Sequence, residues 1–192
     1  MLYSAYLCEH NSKTMFTVQV HDKVFKLFIS REQIQERVKE LGEQIDKDYA
    51  GLNPIFISIL NGSFIFAADL FRCISVDAEI SFIKLASYKG TTSTGNVVTA
   101  IGMEERLEDR HVIILEDIVD TGKTLSAFIP EIMQRHPASL KIATFLTKPE
   151  ALQYDVHADY VGFEIPNNFV VGYGLDYDGL GRNLPELYTL DK

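Results

Sequence analysis

One stretch constrains this chain more than any other: His111-Val-Ile-Ile-Leu-Glu-Asp-Ile-Val-Asp-Thr-Gly-Lys-Thr-Leu125. Its apolar opening, Val112 to Leu115, is mostly β-branched and reads as a strand buried on both faces. Three carboxylates follow at once, Glu116, Asp117 and Asp120. The small-residue turn Thr121-Gly122-Lys123-Thr124 then leads into an amphipathic helix marked by Leu125, Phe128, Ile129, Ile132 and Met133. Strand, acidic edge, glycine turn and helix together make an anion cradle. Backbone N–H groups and the helix N-terminus face a phosphate, and the threonine hydroxyls add donors. Ligands of open parallel sheets collect at the carboxyl ends of strands, where this turn lies.

Carboxylates repel phosphate unless a divalent cation or sugar hydroxyls stand between them. Glu116 and Asp117 therefore point to ribose hydroxyls, Mg²⁺, or both. The plainer alternative is a solvated acidic turn after a strand. Gly122-Lys123-Thr124 also invites a P-loop reading, but G-x-x-x-x-G-K-T requires glycine at 117, and that position is Asp117. A carboxylate there would stand where a Walker backbone must approach phosphate, so that reading fails.

A chain of 192 residues defaults to one α/β domain with a core large enough to need no staples. The net charge of −9 argues against general nucleic-acid binding, which needs a basic face. An anionic substrate must then be accommodated locally, by metal or a few basic residues. Cys8 and Cys73 make neither a disulfide framework nor a zinc pattern, and reduced thiols fit the cytosol. With no signal-like apolar segment at the start and no run of membrane-spanning length, a cytoplasmic protein with no membrane partner is expected.

Residues 1–14 are uninformative. Phe16 to Val20 and Val24 to Phe28 alternate around His21-Asp22-Lys23 and read as a hairpin. Ser30-Arg-Glu-Gln33 is a capping-box start, after which Ile34, Val38, Leu41 and Ile45 form a packing stripe. Pro54 to Leu60 reads as a buried strand and Ser63 to Ile74 as a helix, in which Phe64-Ile65-Phe66 serve either core or interface. Between them, Asn61-Gly62 is a second strand-to-helix turn with glycine, able to present more backbone N–H groups to a second phosphate. Asp77 to Tyr88 alternates into the hydroxyl-rich segment Lys89 to Asn96, and Val97 to Ile101 is the returning strand. Leu140 to Thr147 is another buried strand ending in Lys148, whose side chain can reach the crevice that holds Asp120. The segment Asp159 to Asp178 reads as a strand, a Pro-Asn turn, a short apolar run and a Gly/Tyr/Asp loop.

Glu116 to Thr124 resembles the phosphoribosyl-pyrophosphate (PRPP) motif of the type I phosphoribosyltransferases. In its variant it resembles the hypoxanthine-guanine branch. The pattern VGFEIP…FVVGYGLDY, beginning at Val161, is a second witness. The resemblance runs from about residue 54 to residue 190 and implies an α/β type I phosphoribosyltransferase fold: a twisted, mainly parallel sheet flanked by helices, with a small hood built from the chain ends. The whole of 1–192 is then one domain, with about 50–150 as core and chiefly 150–192 as the base-binding hood.

The resemblance also implies roles. Thr121, Gly122, Lys123 and Thr124 hold the ribose 5′-phosphate; Glu116 and Asp117 hold the ribose hydroxyls and, with Asp176, Mg²⁺. Asn61, Gly62 and Arg182 serve the pyrophosphate, although the family usually has lysine where this chain has Asn61. Lys148 meets the 6-oxo group of a purine, Phe169 stacks on its ring, and Val170 offers its backbone to the base edge. Ser87 and Tyr88, with Ser93-Thr94-Gly95, resemble a mobile loop that closes over the site and excludes water. Asp120 is the expected general base and acid.

The activity so implied is transfer of the 5-phosphoribosyl group from PRPP to hypoxanthine, with guanine as a second 6-oxopurine substrate, by a homodimer or homotetramer. The alternatives are a PRPP- or nucleotide-sensing regulator of the same fold, and a phosphoribosyltransferase for another base, xanthine in particular.

Overall fold

The computed structural model describes residues 16–88 and 97–191. The segment Lys89 to Asn96, expected to form the closing loop, lies outside the described residues, as do residues 1–15. Two sheets organise the chain. The larger has six strands in the order β5-β4-β3-β6-β7-β8. These are β3 (Ile55–Leu60), β4 (Glu79–Tyr88), β5 (Val97–Ile101), β6 (His111–Val119), β7 (Ser139–Thr147) and β8 (Tyr160–Glu164). All neighbours run parallel except β5, which returns antiparallel along β4. This is the twisted, mainly parallel sheet that the sequence led us to expect.

The central strands are apolar on both faces because helices cover both. In β6, Ile113 and Leu115 enter the core shared with α1 (Arg31–Asp48) and α2 (Phe64–Cys73). Their neighbours Val112 and Ile114 enter a second core with α3 (Lys123–Met133). Strand β3 divides likewise, Phe56 to one side and Ile55, Ile57 and Ile59 to the other. Helix α1 carries the expected capping box at Ser30 and Gln33 and buries Ile34, Val38, Leu41 and Ile45. On α2, Phe66 is core while Phe64 is 41% exposed. The apolar stripe of α3 is narrower than its sequence suggests: Leu125, Phe128 and Ile132 are buried, but Met133 is half in solvent.

The smaller sheet has the order β1-β2-β10-β9, from β1 (Thr17–Val20), β2 (Lys23–Ile29), β9 (Val170–Val171) and β10 (Leu187–Leu190). Its strands come from both ends of the chain, while β8, at 160–164, stays with the larger sheet. The hairpin β1–β2 pairs as expected, Thr17 opposite Lys26 and Val20 opposite Lys23. In the large sheet the chain runs outward from β3 to β4 on one side and from β6 to β7 on the other. The crevice between the carboxyl ends of β3 and β6 is therefore the topological switch point, where open α/β sheets bind ligands.

Candidate active site

Strand β6 differs from the sequence expectation in length. The acids were expected just beyond a strand ending at Leu115, yet β6 continues to Val119. The parallel register with β7 carries it there, pairing Glu116 with Thr144, Ile118 with Leu146 and Val119 with Thr147. Glu116 and Asp117 thus lie within the strand rather than in the turn after it, and both line the same cavity. Glu116 is buried, and its Oε2 has no hydrogen-bond partner among the described residues. Burial first, and then the neighbouring Asp117, hold its carboxyl well above the usual range. Burial raises Asp117 too, against the N–H of Ile118, which donates to Asp117 Oδ1 at 2.9 Å.

The turn after β6 is the anion cradle in three dimensions. Residues 116–125 line a cavity of about 270 Å³. Gly122 occupies the N-cap of α3 with φ at +80°, a left-handed conformation that favours glycine. Gly122 has no side chain with which to cap α3, in contrast to the full capping box of α1, and this leaves first-turn N–H groups beyond that of Lys123 to face a ligand. The Thr121 carbonyl is turned away and accepts from the N–H groups of Gln153 and Tyr154 at 3.0 and 3.2 Å. Thr121 Oγ1 accepts from Lys123 N at 3.3 Å, and Lys123 and Thr124 are exposed in the first turn of α3.

The second glycine turn meets the acidic strand directly. Ser63 Oγ, buried, donates to the Ile59 carbonyl at 2.5 Å and lies 2.7 Å from Ser58 Oγ, fixing the turn between β3 and α2. Asn61 is exposed within it, after a cis Leu60–Asn61 peptide. A Cβ on Gly62 would lie 1.4 Å from Asp117 Oδ2, so only glycine admits the carboxylate. Gly174, with φ at +99°, packs on the same turn from above: a Cβ there would lie 2.1 Å from the Gly62 carbonyl.

The loop that carries Gly174 also carries Asp176 and Arg182. Arg182 Nη2 pairs with Asp176 Oδ1 at 2.5 Å, and its Nη1 donates to the Gly174 carbonyl at 2.6 Å. Asp176 Oδ2 accepts from Gly179 N at 2.7 Å. Both charged groups act on Asp117 electrostatically, Arg182 lowering its pKa and Asp176 raising it. Among the described residues no cluster of three or more histidines, cysteines or acids could hold a metal unaided. Glu116, Asp117 and Asp176 are thus not brought into one cage, since the Arg182 fork engages Asp176. An orphaned buried carboxylate oxygen beside a second acid nevertheless fits a ligand that brings its own oxygens and shares a cation, the usual arrangement for Mg²⁺.

Asp120 and Lys148 stand at the ends of the adjacent strands β6 and β7. Lys148 Nζ donates to Asp120 Oδ2 at 3.1 Å, with the lysine side chain only 9% exposed. The sequence placed both in one crevice, and the structure does so. Val170 is buried in β9, with its neighbour Phe169 accepting from Leu190 N at 3.0 Å. Phe169 is 46% exposed, a large ring left facing outward. Ser87 and Tyr88 form the end of β4, paired with Val98 and Val97. Gly174, Tyr173 and Tyr177 were not singled out from sequence, because their partners are over a hundred residues away: Tyr173 Oη donates to Asp69 and Tyr177 Oη to Asp22, each at 2.8 Å.

A family profile for the phosphoribosyl transferase domain matches residues 30–178. The chain belongs to the phosphoribosyltransferase family, and it has that family's fold. It is 43% identical over 172 residues to the hypoxanthine-guanine phosphoribosyltransferase of Streptococcus pneumoniae, covering 89% of this chain and 96% of that one. A crystal structure of the hypoxanthine-guanine phosphoribosyltransferase of Bacillus anthracis superposes with a TM-score of 0.80 at 42% identity, covering 86% of this chain and 98% of the other. The hypoxanthine phosphoribosyltransferase of Staphylococcus aureus gives the same TM-score and identity over 86% and 90%. Within its family the chain falls among the hypoxanthine-guanine phosphoribosyltransferases.

Proposed function

We propose that this chain is a purine-salvage enzyme that transfers the 5-phosphoribosyl group of PRPP to hypoxanthine and guanine, yielding IMP or GMP and pyrophosphate. The carrying observation is the Lys148–Asp120 pair, 3.1 Å apart at the lip of the phosphate cradle. The 6-oxo group and N7 of a 6-oxopurine are adjacent on one edge of the ring. An ammonium and a carboxylate side by side match that edge, one donating to the oxygen and the other exchanging a proton with N7.

Each element then has a task. The cradle at Thr121 to Thr124 holds the 5′-phosphate and so fixes the anomeric carbon. Glu116 and Asp117 receive the ribose hydroxyls, whose donors answer the orphaned Glu116 oxygen. Asn61, Gly62 and Arg182 face the pyrophosphate, through backbone N–H groups at the turn and a guanidinium in the loop. Asp120 accepts the N7 proton as N9 attacks the anomeric carbon and the bond to pyrophosphate breaks. Phe169 stacks on the base, Val170 offers it backbone, and the loop beyond Ser87 and Tyr88 excludes water. Glu116 and Asp117, with Asp176 from the neighbouring loop, would hold Mg²⁺ once substrate is bound, and the ion would supply charge neutralisation on the leaving group. The same reading makes the chain a cytoplasmic homodimer or homotetramer, and Phe64, exposed on α2, is the side chain expected at the contact. Sedimentation of the wild type and Phe64→Ser compares the two states.

The test is a steady-state assay with PRPP and Mg²⁺ that offers hypoxanthine, guanine, xanthine and adenine in parallel. Turnover with the first two and little with adenine is expected. Lys148→Ala should weaken base binding and erode the rejection of adenine. Tight PRPP binding without turnover of any base would replace the enzyme by a sensor.

A further inference from the structure

Phe169 is not a free-standing ring. Phe25, fully buried in β2, lies with its ring centroid 6.1 Å from that of Phe169 at a 41° tilt. Tyr177 approaches Phe169 edge-on, with centroids 5.7 Å apart and planes at 84°, and also meets Phe25 at 6.0 Å. An edge-to-face neighbour is a preferred aromatic geometry and resists rotation of the ring it touches. Tyr177 is in turn held by the tip of the β1–β2 hairpin. Its hydroxyl donates to Asp22 Oδ1 at 2.8 Å, Lys23 Nζ lies 4.4 Å from its ring centroid, and His21 meets its edge at 5.7 Å. His21 Nε2 also lies 3.1 Å from the carbonyl oxygen of Asp178. Four contacts from three consecutive hairpin residues converge on two residues of the site loop.

We propose that Tyr177 is a positioning residue for the purine-stacking ring, and that the hairpin tip His21-Asp22-Lys23 is the anchor that sets it. This rests on the reading that Phe169 stacks on the base. The hairpin thereby belongs to the base site without touching the base. Tyr177 also borders Asp176, but Asp176 is fixed separately by Arg182 and Gly179 N. Loss of the Tyr177 ring therefore falls on the base and not on PRPP.

The test measures KM for hypoxanthine, KM for PRPP, and kcat in five variants. Tyr177→Leu removes the ring and should raise the base KM about five- to tenfold, the scale of one aromatic pair. KM for PRPP and kcat should stay within about twofold. Tyr177→Phe keeps the ring and loses only the bond to Asp22, so it should recover part of the effect, leaving a rise of about threefold. Asp22→Ala, at an exposed turn that tolerates the change, should give the same rise, and the double variant Asp22→Ala/Tyr177→Phe no more than either alone. An unchanged base KM in Tyr177→Leu overturns the proposal, as does a joint rise of both KM values. Should Tyr177→Leu not fold, an unmoved base KM in both Tyr177→Phe and Asp22→Ala overturns it equally. Phe169→Ala separates the two layers of the argument. If it leaves the base KM unmoved, the stacking reading fails and the proposal with it. If it raises that KM while the Tyr177 and Asp22 variants do not, only the proposal fails.

Discussion

At the scale of single residues, the site depends on a few atoms that have no substitute. Asp120 is the only carboxylate at the cradle that an ammonium holds from the adjacent strand, among the described residues. Asp120→Asn should leave KM for PRPP largely intact and lower kcat by about 10²–10⁴-fold, the usual worth of general acid–base catalysis; an unchanged kcat removes Asp120 from that role. Gly62 is constrained from two sides, by the Asp117 carboxylate and by Gly174. Gly62→Ala must displace Asp117 or the turn itself. We expect KM for PRPP to rise at least about tenfold, with a loss of about 1–3 kcal/mol in urea denaturation, as overpacking of a dense site usually brings. Gly62 and Asp117 were both legible in the sequence as candidates. Their contact was not, since it joins the ends of two strands far apart along the chain.

At the scale of elements, local chemistry predicts well where an element closes on itself. The capping box of α1 is read directly from Ser30 and Gln33 and is present in both directions, Ser30 N donating to Gln33 Oε1 at 3.0 Å and Gln33 N to Ser30 Oγ at 3.4 Å. Ser30→Ala should therefore lower stability by about 1 kcal/mol without changing kcat, as measured by urea unfolding and the steady-state assay. Strand β6 is the counter-example. Its apolar run ends at Leu115, but pairing with β7 carries the strand past two acids to Val119. Propensity is overridden there by the hydrogen bonds and packing of a neighbouring strand. The consequence is chemical, because a carboxylate in a buried strand loses water that it would keep in a turn. Met133 on α3 shows the smaller error, a residue in phase with the stripe that lies beyond the reach of the sheet.

At the scale of the molecule, phenol–carboxylate hydrogen bonds tie distant parts of the chain together. Tyr160 joins β8 to Asp48 at the end of α1, and Tyr173 joins the site loop to Asp69 on α2, each at 2.8 Å. A third such bond is local, with Tyr188, in β10, donating to Glu186 at 3.0 Å. In all three, burial is the largest cause of a raised phenol pKa and the neighbouring carboxylate adds to it, bringing Tyr188 to about 12. Below pH about 10 these phenols are protonated whether the chain is folded or unfolded, and the stability they contribute is fully present. Above it the unfolded chain gives up the protons first, so stability falls as pH rises through the folded values. Urea midpoints should hold steady up to pH about 10 and then decline. Tyr188→Phe should flatten the part of that decline lying between pH about 10 and about 12; an unaltered profile would exclude Tyr188 as a contributor.

The sequence by itself determined the kind of sheet, the cradle at Thr121 to Thr124, the capping box of α1 and the residue types of the chemistry. Those follow from interactions between residues a few positions apart, where spacing along the chain is also spacing in space. Only the tertiary structure decided which of those residues meet. It set the Asp117 carboxylate against Gly62, turned Arg182 to Asp176, and closed the amino-terminal hairpin on Tyr177 behind Phe169. Each of these contacts spans strands or loops from different parts of the chain, except Arg182 with Asp176, which lies within one loop. Their geometry comes from strand register and from packing two sheets together, and neither leaves a local mark in the order of amino acids.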